Sequence, residues 1–500
     1  MARVGSVDER FQSFNVEMVE VTGGRFWKPF DKQVDAILQA QTAAREKGGN
    51  QPVGMDPNLY QYRPPIDLGS ARLRKLAAAL GPAYIRVSGT WANTTYFHDA
   101  DSAPPKTPPT GFGGVLTRAQ WKGVVDFGRA ADAKLVTSFA TSGGARDAKG
   151  LWNSKQATQW LAYTKSVGGS IAAAEFMNEP TIAVMGGAPK GYDAAAYARD
   201  LAVFRTFAKV AAPEMLLLGP GSVGEGGLFG KGDTPPPFPM LKSEDLLTAT
   251  GPIYDAFSYH FYGTVSKRCS SMNIGGTTPA EALGAEWLDR TEKTEAFYAA
   301  LRDKFLPGKP LWLTETADAA CGGNPWGSAF VDSFRYLNQL GTLARKGVQV
   351  VAHNTLAASD YGLIDEATLT PRPNYWSAVL WRKLMGTTVL DPGPAPTPEV
   401  RLYAHCLRGV PGGVAVLAIH TGHTAPASLD LGAAVQRYTL TASDLQASLV
   451  QLNGSELKLG AGDALPAMDG AAAPAGPLVL APASISFLAI PSANNSSCRQ

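Results

Sequence analysis

No stretch of this 500-residue chain offers the roughly 18 uninterrupted apolar residues that a membrane-spanning helix needs. The opening MARVGSVDER also lacks the apolar core of a secretory signal. The expectation is therefore no membrane insertion, and a protein that is either cytosolic or has lost a signal. Charge of one sign is missing as well. The formal net charge is +2 and no basic run occurs, which excludes the electrostatic footprint of a nucleic-acid binder or of a protein drawn to an anionic membrane surface. Cysteine is scarce: Cys269, Cys321, Cys406 and Cys498 form no CxxC pair, which argues against a zinc site and a dense disulfide scaffold, while their even number permits two bridges. Neither GxGxxG nor GxxxxGK[ST] opens a helical segment, so nothing points to a dinucleotide or P-loop phosphate site.

What is present is a globular composition, 45% hydrophobic and 18% charged, sufficient for one large core and an appendage. Short β-rich runs lie near 14–19 (FNVEMV), 83–87 (AYIRV), 134–139 (KLVTSF), 171–176 (IAAAEF), 215–219 (MLLLG), 256–260 (AFSYH), 311–314 (LWLT) and 348–353 (VQVVAH). Between them run segments such as SARLRKLAAAL and SAFVDSFRYLNQLGTLARKG, with apolar residues every three or four positions. Strand then helix, eight times over, predicts an α/β chain folded as a (β/α)8 barrel over 11–388, with a doubly wound open sheet as the rival. The proline-rich segment 390–400 reads as a linker, and the short alternating runs after it predict an antiparallel β-sandwich over 389–500, on which residues 1–10 pack or to which they add a strand. Two further proline-rich stretches, 102–114 and 233–240, follow the second and fifth strands and so belong to the C-terminal rim.

Active sites of such barrels stand at the C-terminal ends of the strands. Two glutamates qualify: Glu179, in FMNEP just past the fourth strand, and Glu315, in LWLTETADAACGG just past the seventh. One glutamate at a loop edge is usually a solvated charge or a helix cap. A pair at the fourth and seventh positions of an eightfold series is different, because two carboxyls about 5 Å apart across the mouth are what retaining glycoside hydrolysis requires.

The same residues resemble the retaining glycosidases built on this barrel. The pieces LGPAYIRVSGT, LWNSKQATQWLAYTKSVGGS leading into MNEP, LWLTETADAACGG, YGLIDEATLTPRPNYWSAVLWRKLMGTTVL and RLYAHC are similar to the heparanases and β-glucuronidases of glycoside hydrolase family 79, from about Phe11 to Cys498. The resemblance implies Glu179 as acid/base, Glu315 as nucleophile and Tyr262 as the donor that orients Glu315. It implies sugar contacts from Asn178, Glu17, Thr90 and Asn354, with His260 either a sugar contact or a strand-end residue satisfied by backbone. A uronate carboxylate would meet the backbone of Gly322 and Gly323 and the Tyr361 side chain. The family usually has Tyr-Gly-Gly-Gly where this chain has Ala320, Cys321, Gly322 and Gly323, so a side-chain donor is lost there.

The resemblance also implies a disulfide between Cys406 and Cys498. Cys269 and Cys321 follow neighbouring strands on the rim, and a bridge between them would pin the carboxylate-binding loop. The expectation is a retaining β-glucuronidase, monomeric, secreted or periplasmic, needing no metal or organic cofactor and acting on glycans that carry glucuronic acid. The alternatives are an endo-acting heparanase, a glycosidase for a neutral sugar, and a catalytically silent carbohydrate-binding protein. Few cations lie in SAPPKTPPTGFGGVLTRAQ, which argues against a highly sulfated polymer.

Overall fold

Each of the eight apolar runs becomes a strand in the computed structural model, which describes residues 1–46, 56–227, 239–272 and 276–499. We label them β1 (Gln12–Glu17), β2 (Ala83–Ser88), β3 (Ala133–Ser138), β4 (Ile171–Glu175), β5 (Leu216–Ser222), β6 (Ala256–Val265), β7 (Leu311–Ala320) and β8 (Val350–His353). All pair in parallel with their neighbours in chain order, and β8 pairs with β1, which closes a barrel. The rim stretch 233–238 lies outside the described residues.

Side-chain alternation organises the barrel in layers. On β2, Ile85 and Val87 point outward into the core shared with the helices. On the opposite face of the strand Tyr84 joins Val136, Ala173, Leu218, Trp312 and Val350 in an apolar layer of its own. Two residues further along the same strands stand Arg86, Glu175 and Thr314. The period of two thus sets a polar layer directly above the apolar one, nearer the C-terminal mouth.

Two strands run longer than their apolar runs indicate. The β6–β7 ladder continues through Thr264 beside Ala319 and Val265 beside Ala320, so Tyr262 and Glu315, expected beyond the strand ends, lie inside strands. Strand β1 stops at Glu17, where the chain turns into the short helix Met18–Thr22 and the Glu20 carboxyl accepts the Glu17 N–H at 2.6 Å.

The C-terminal region builds a nine-stranded sheet, antiparallel throughout, that begins with Arg3–Ser6 paired to Met385–Leu390 and runs on through Val400–Leu407, Val414–His420 and Ser484–Ile490. The proline-rich segment 390–400 connects two paired strands of that sheet. Strand Val414–His420 is buried along its whole length. Its Val414, Val416 and Ala418 pack toward the two-stranded sheet Ala427–Asp430 with Pro477–Leu480, while Ala415, Leu417 and Ile419 join the core shared with the barrel helices. Disulfides join Cys406 to Cys498 and Cys269 to Cys321. Among the described residues no helix is long and apolar enough to cross a membrane.

Candidate active site

At the C-terminal mouth a cleft of about 310 Å3 is lined by side chains from seven of the eight strand ends or the loops after them. Glu179 and Glu315 both face it. The two carboxyls and the His260 ring each bring one polar atom to within 4.8 Å of the others, close to the separation of about 5 Å that a double displacement uses.

Glu315 is fixed inside β7 by two donors. The Tyr262 hydroxyl donates to Oε1 at 2.6 Å and Arg86 Nη1 donates to Oε2 at 2.8 Å. The resulting bonds, one of them charge-assisted, fix the carboxyl in place. Arg86 is the hub of the polar layer. Its fork also reaches Glu175 Oε2 at 2.8 and 3.0 Å and the Asn178 side-chain carbonyl at 2.7 Å. Burial alone would weaken the Arg86 charge, but Glu175 and Glu315 hold the guanidinium firmly protonated. Burial likewise opposes the Glu175 charge, which Arg86, His260 and the Thr314 hydroxyl hold well below the usual carboxylate range.

Glu179 is held differently. It follows β4 in the left-handed region, at φ +51°, a conformation costing a non-glycine residue on the order of 1–2 kcal/mol, and this sharp turn helps set its direction into the cleft. Asn93 braces the turn: its amide donates to the Asn178 carbonyl at 2.9 Å and its oxygen accepts the Asn178 N–H at 2.8 Å. Burial, and next the Glu315 charge, push the Glu179 carboxyl up from its ordinary value, against the opposing pull of His260. That is what a proton donor to a glycosidic oxygen needs near neutral pH.

His260 lies beneath the carboxyl pair, with Nδ1 3.0 Å from Glu179 Oε1 and 3.7 Å from Glu315 Oε2. Burial would push the ring down, but the Glu315 charge and its contacts with Glu175 and Glu179 bring it up to about 9. Glu179 is raised beside it, so the protonation of each group depends on the other. Arg86 Nη2 stands 3.1 Å from Nε2, while Nδ1 faces Glu179. Both nitrogens are then committed, and the adjacent Arg86 charge repels a cation. The trio suits hydrogen bonding among its members better than metal binding.

The remaining expected residues divide. Glu17, Thr90, Asn354 and Tyr361 line the cleft. Asn354 Nδ2 donates to Glu17 Oε1 at 3.1 Å and to the hydroxyls of Tyr262 at 3.0 Å and Tyr361 at 3.3 Å. Burial, then Glu315, push the Glu17 carboxyl well up, and burial pushes Glu20 up to about 7. Asn178 is 1% exposed, and its Nδ2 has no hydrogen-bond partner among the described residues.

Three of the expected contact residues are placed differently from the sugar contacts read for them. His260, taken as a sugar contact or as a residue satisfied by backbone, is 1% exposed and its partners are the side chains of Glu179 and Arg86. Gly323 is not a free donor, because its N–H is given to the Ala319 carbonyl at 3.2 Å. Neither Gly322 nor Gly323 lines the cleft. Both have φ near +83°, and a Cβ on Gly322 would meet Trp27 while one on Gly323 would meet Tyr361. Their role is to let the loop pack against those two cleft side chains. Arg86 and Glu175 were missed, although a signal existed: an ionisable residue inside an apolar strand of a closed barrel is rarely there for packing.

The profile of Glycosyl hydrolase family 79, N-terminal domain, matches residues 65–341. Heparanase-like protein 1 of Arabidopsis thaliana is 28% identical over 71% of this chain, a match that spans 65% of that relative's own length. Mouse heparanase is 28% identical over 89% of both chains. Baicalin-beta-D-glucuronidase of Scutellaria baicalensis is 34% identical over 37% of each. Among solved structures, the 4-O-alpha-L-rhamnosyl-beta-D-glucuronidase of Fusarium oxysporum superposes over 97% of this chain and 96% of its own with a TM-score of 0.60 at 13% identity, a likeness of fold.

Proposed function

The chain belongs to glycosyl hydrolase family 79, and from that premise we propose that it is a retaining β-glucuronidase releasing β-linked glucuronic acid from its conjugates. The observation that carries the reading is the pair itself: two glutamates within 4.8 Å, one pushed up toward its neutral form and the other clamped by Arg86 and Tyr262. In this reading Glu315 attacks the anomeric carbon as Glu179 protonates the departing oxygen. Glu179, now ionised, then takes a proton from water as that water displaces Glu315 from the sugar. Asn178, through its unpartnered Nδ2, donates to the hydroxyl beside the anomeric carbon. His260 and Arg86 act through the carboxyls as positioning residues.

Uronate selectivity rests on the wall of Glu17, Asn354 and Tyr361 rather than on Gly323. A Glu17 carboxyl that burial pushes toward its neutral form repels a uronate less than a freely ionised one would. The glucuronidases of Scutellaria and Fusarium, by the sugar in their names, support the same reading. The two disulfides agree with an oxidising, extracellular setting. Proton NMR of the first product tests the stereochemistry: β-glucuronic acid appearing before the α anomer is expected, and α first would overturn the retaining mechanism. A glucuronic-acid-configured cyclitol epoxide should label Glu315, and labelling elsewhere would remove it from the role of nucleophile.

A further inference from the structure

The two flanks of the cleft differ in chemistry, and resting on the β-glucuronidase reading we infer that the leaving-group side accepts an apolar, aromatic alcohol rather than a sulfated or neutral sugar. Glu179 defines that side, because it protonates the departing oxygen. The turn Pro180–Ile182 begins at Glu179 and carries Ile182 and then Met185 along the rim. Val223, at the end of β5, is tied to this turn: the Thr181 hydroxyl donates to the Val223 carbonyl at 2.9 Å and accepts the Val223 N–H at 3.0 Å. The turn bearing Trp91 is tied to the Asn178 backbone through Asn93. Trp91, Ile182, Met185 and Val223 therefore gather where the Glu179 turn meets the cleft, and Trp91, Ile182 and Val223 continue into the apolar cluster that includes Tyr262 and Tyr361.

Among the described residues that gather there, side-chain hydrogen-bonding capacity besides Glu179 comes from the Thr90 hydroxyl and the Trp91 indole N–H. A sugar in this place would leave hydroxyls facing Ile182, Met185 and Val223. Among the described residues no lysine or arginine lines the cleft, so a sulfated unit finds no cation there. Meanwhile Met185 is 45% exposed and its neighbour Val184 61%, apolar surface left at the mouth beside the reacting groups. The unbranched, polarisable methionine suits flat ring systems of varied outline.

The test measures kcat and KM for phenyl and 2-naphthyl β-D-glucuronides, whose leaving phenols are of similar acidity, and for an unsulfated disaccharide with a non-reducing glucuronic acid. In the wild-type protein kcat/KM for the naphthyl conjugate should exceed that for the phenyl conjugate by about tenfold, the difference lying in KM. Met185→Lys, at a half-exposed position that tolerates substitution, and Ile182→Ser should each narrow that ratio toward one. A wild-type protein that treats both aryl conjugates alike, or that prefers the disaccharide, overturns this inference and leaves the β-glucuronidase reading standing. No turnover of any of the three overturns both.

Discussion

Glu179 and Glu315 are chemically identical and face each other across the same cleft, yet the barrel holds them in opposite ways. Glu315 is a strand residue whose two oxygens meet a guanidinium and a phenol. Glu179 stands beyond its strand on a left-handed turn, and among the described residues its side-chain hydrogen-bond partner is His260. The difference teaches that role here is assigned by partners rather than by residue type. Two strong donors hold one carboxyl in place, while burial beside a negative neighbour pushes the other up toward its neutral form.

The largest effect should come from breaking the clamped side. Glu315→Gln keeps shape and leaves Tyr262 an acceptor, but removes the nucleophile, so kcat on an aryl β-glucuronide should fall by at least about 10⁴-fold with the melting temperature little changed. A variant that retains most of its kcat would remove Glu315 from the chemistry. The loss should be the same for every leaving group.

Glu179→Ala should separate the two roles. A loss of about 10²–10⁴-fold is expected for a conjugate with a poor leaving alcohol, and a much smaller loss of the glycosylation step for a nitrophenyl conjugate whose oxygen departs without a proton. If the loss proves independent of leaving-group acidity, the distinction between the two glutamates collapses.

The polar layer below both can be tested through stability. Arg86→Met leaves Glu175 as a buried carboxylate without its main partner, and a cost of about 3–5 kcal/mol in denaturant unfolding is expected. Arg86→Met combined with Glu175→Met removes both members of a buried pair and should recover part of that loss. Equal costs for the single and double variants would show that Glu175 does not depend on Arg86.

These partners explain how much could be seen beforehand. The barrel was legible because each strand is a short apolar run and each helix has its apolar face at helical spacing. The two glutamates were legible because strand order places the fourth and seventh ends across the mouth. Arg86, Glu175 and the place of His260 were not, because alternation alone does not say which face of a fully buried strand turns inward. Gly323 misled for a related reason: a glycine in a rim loop offers a free N–H only if the loop does not consume it, and here the Ala319 carbonyl does. Strands β6 and β7 outran their apolar cores because ladder pairing, rather than composition, decides where they end.

The smallest and sharpest effect concerns the proton on the Glu179 side. In the free enzyme kcat/KM should fall as pH rises through the raised value of Glu179, since the ionised form cannot protonate the leaving oxygen. His260 pulls that value down, by hydrogen bond and by charge. His260→Phe fills the volume and deletes both, so the Glu179 carboxyl should keep its proton longer and the alkaline limb should move to higher pH, with kcat at the optimum lowered by no more than about 10²-fold. A residue that only supported the fold would lower activity without moving the limb. An unmoved limb would therefore assign the proton to Glu179 alone, whereas a shift to higher pH marks the His260–Glu179 pair as the element that separates the acid from the nucleophile.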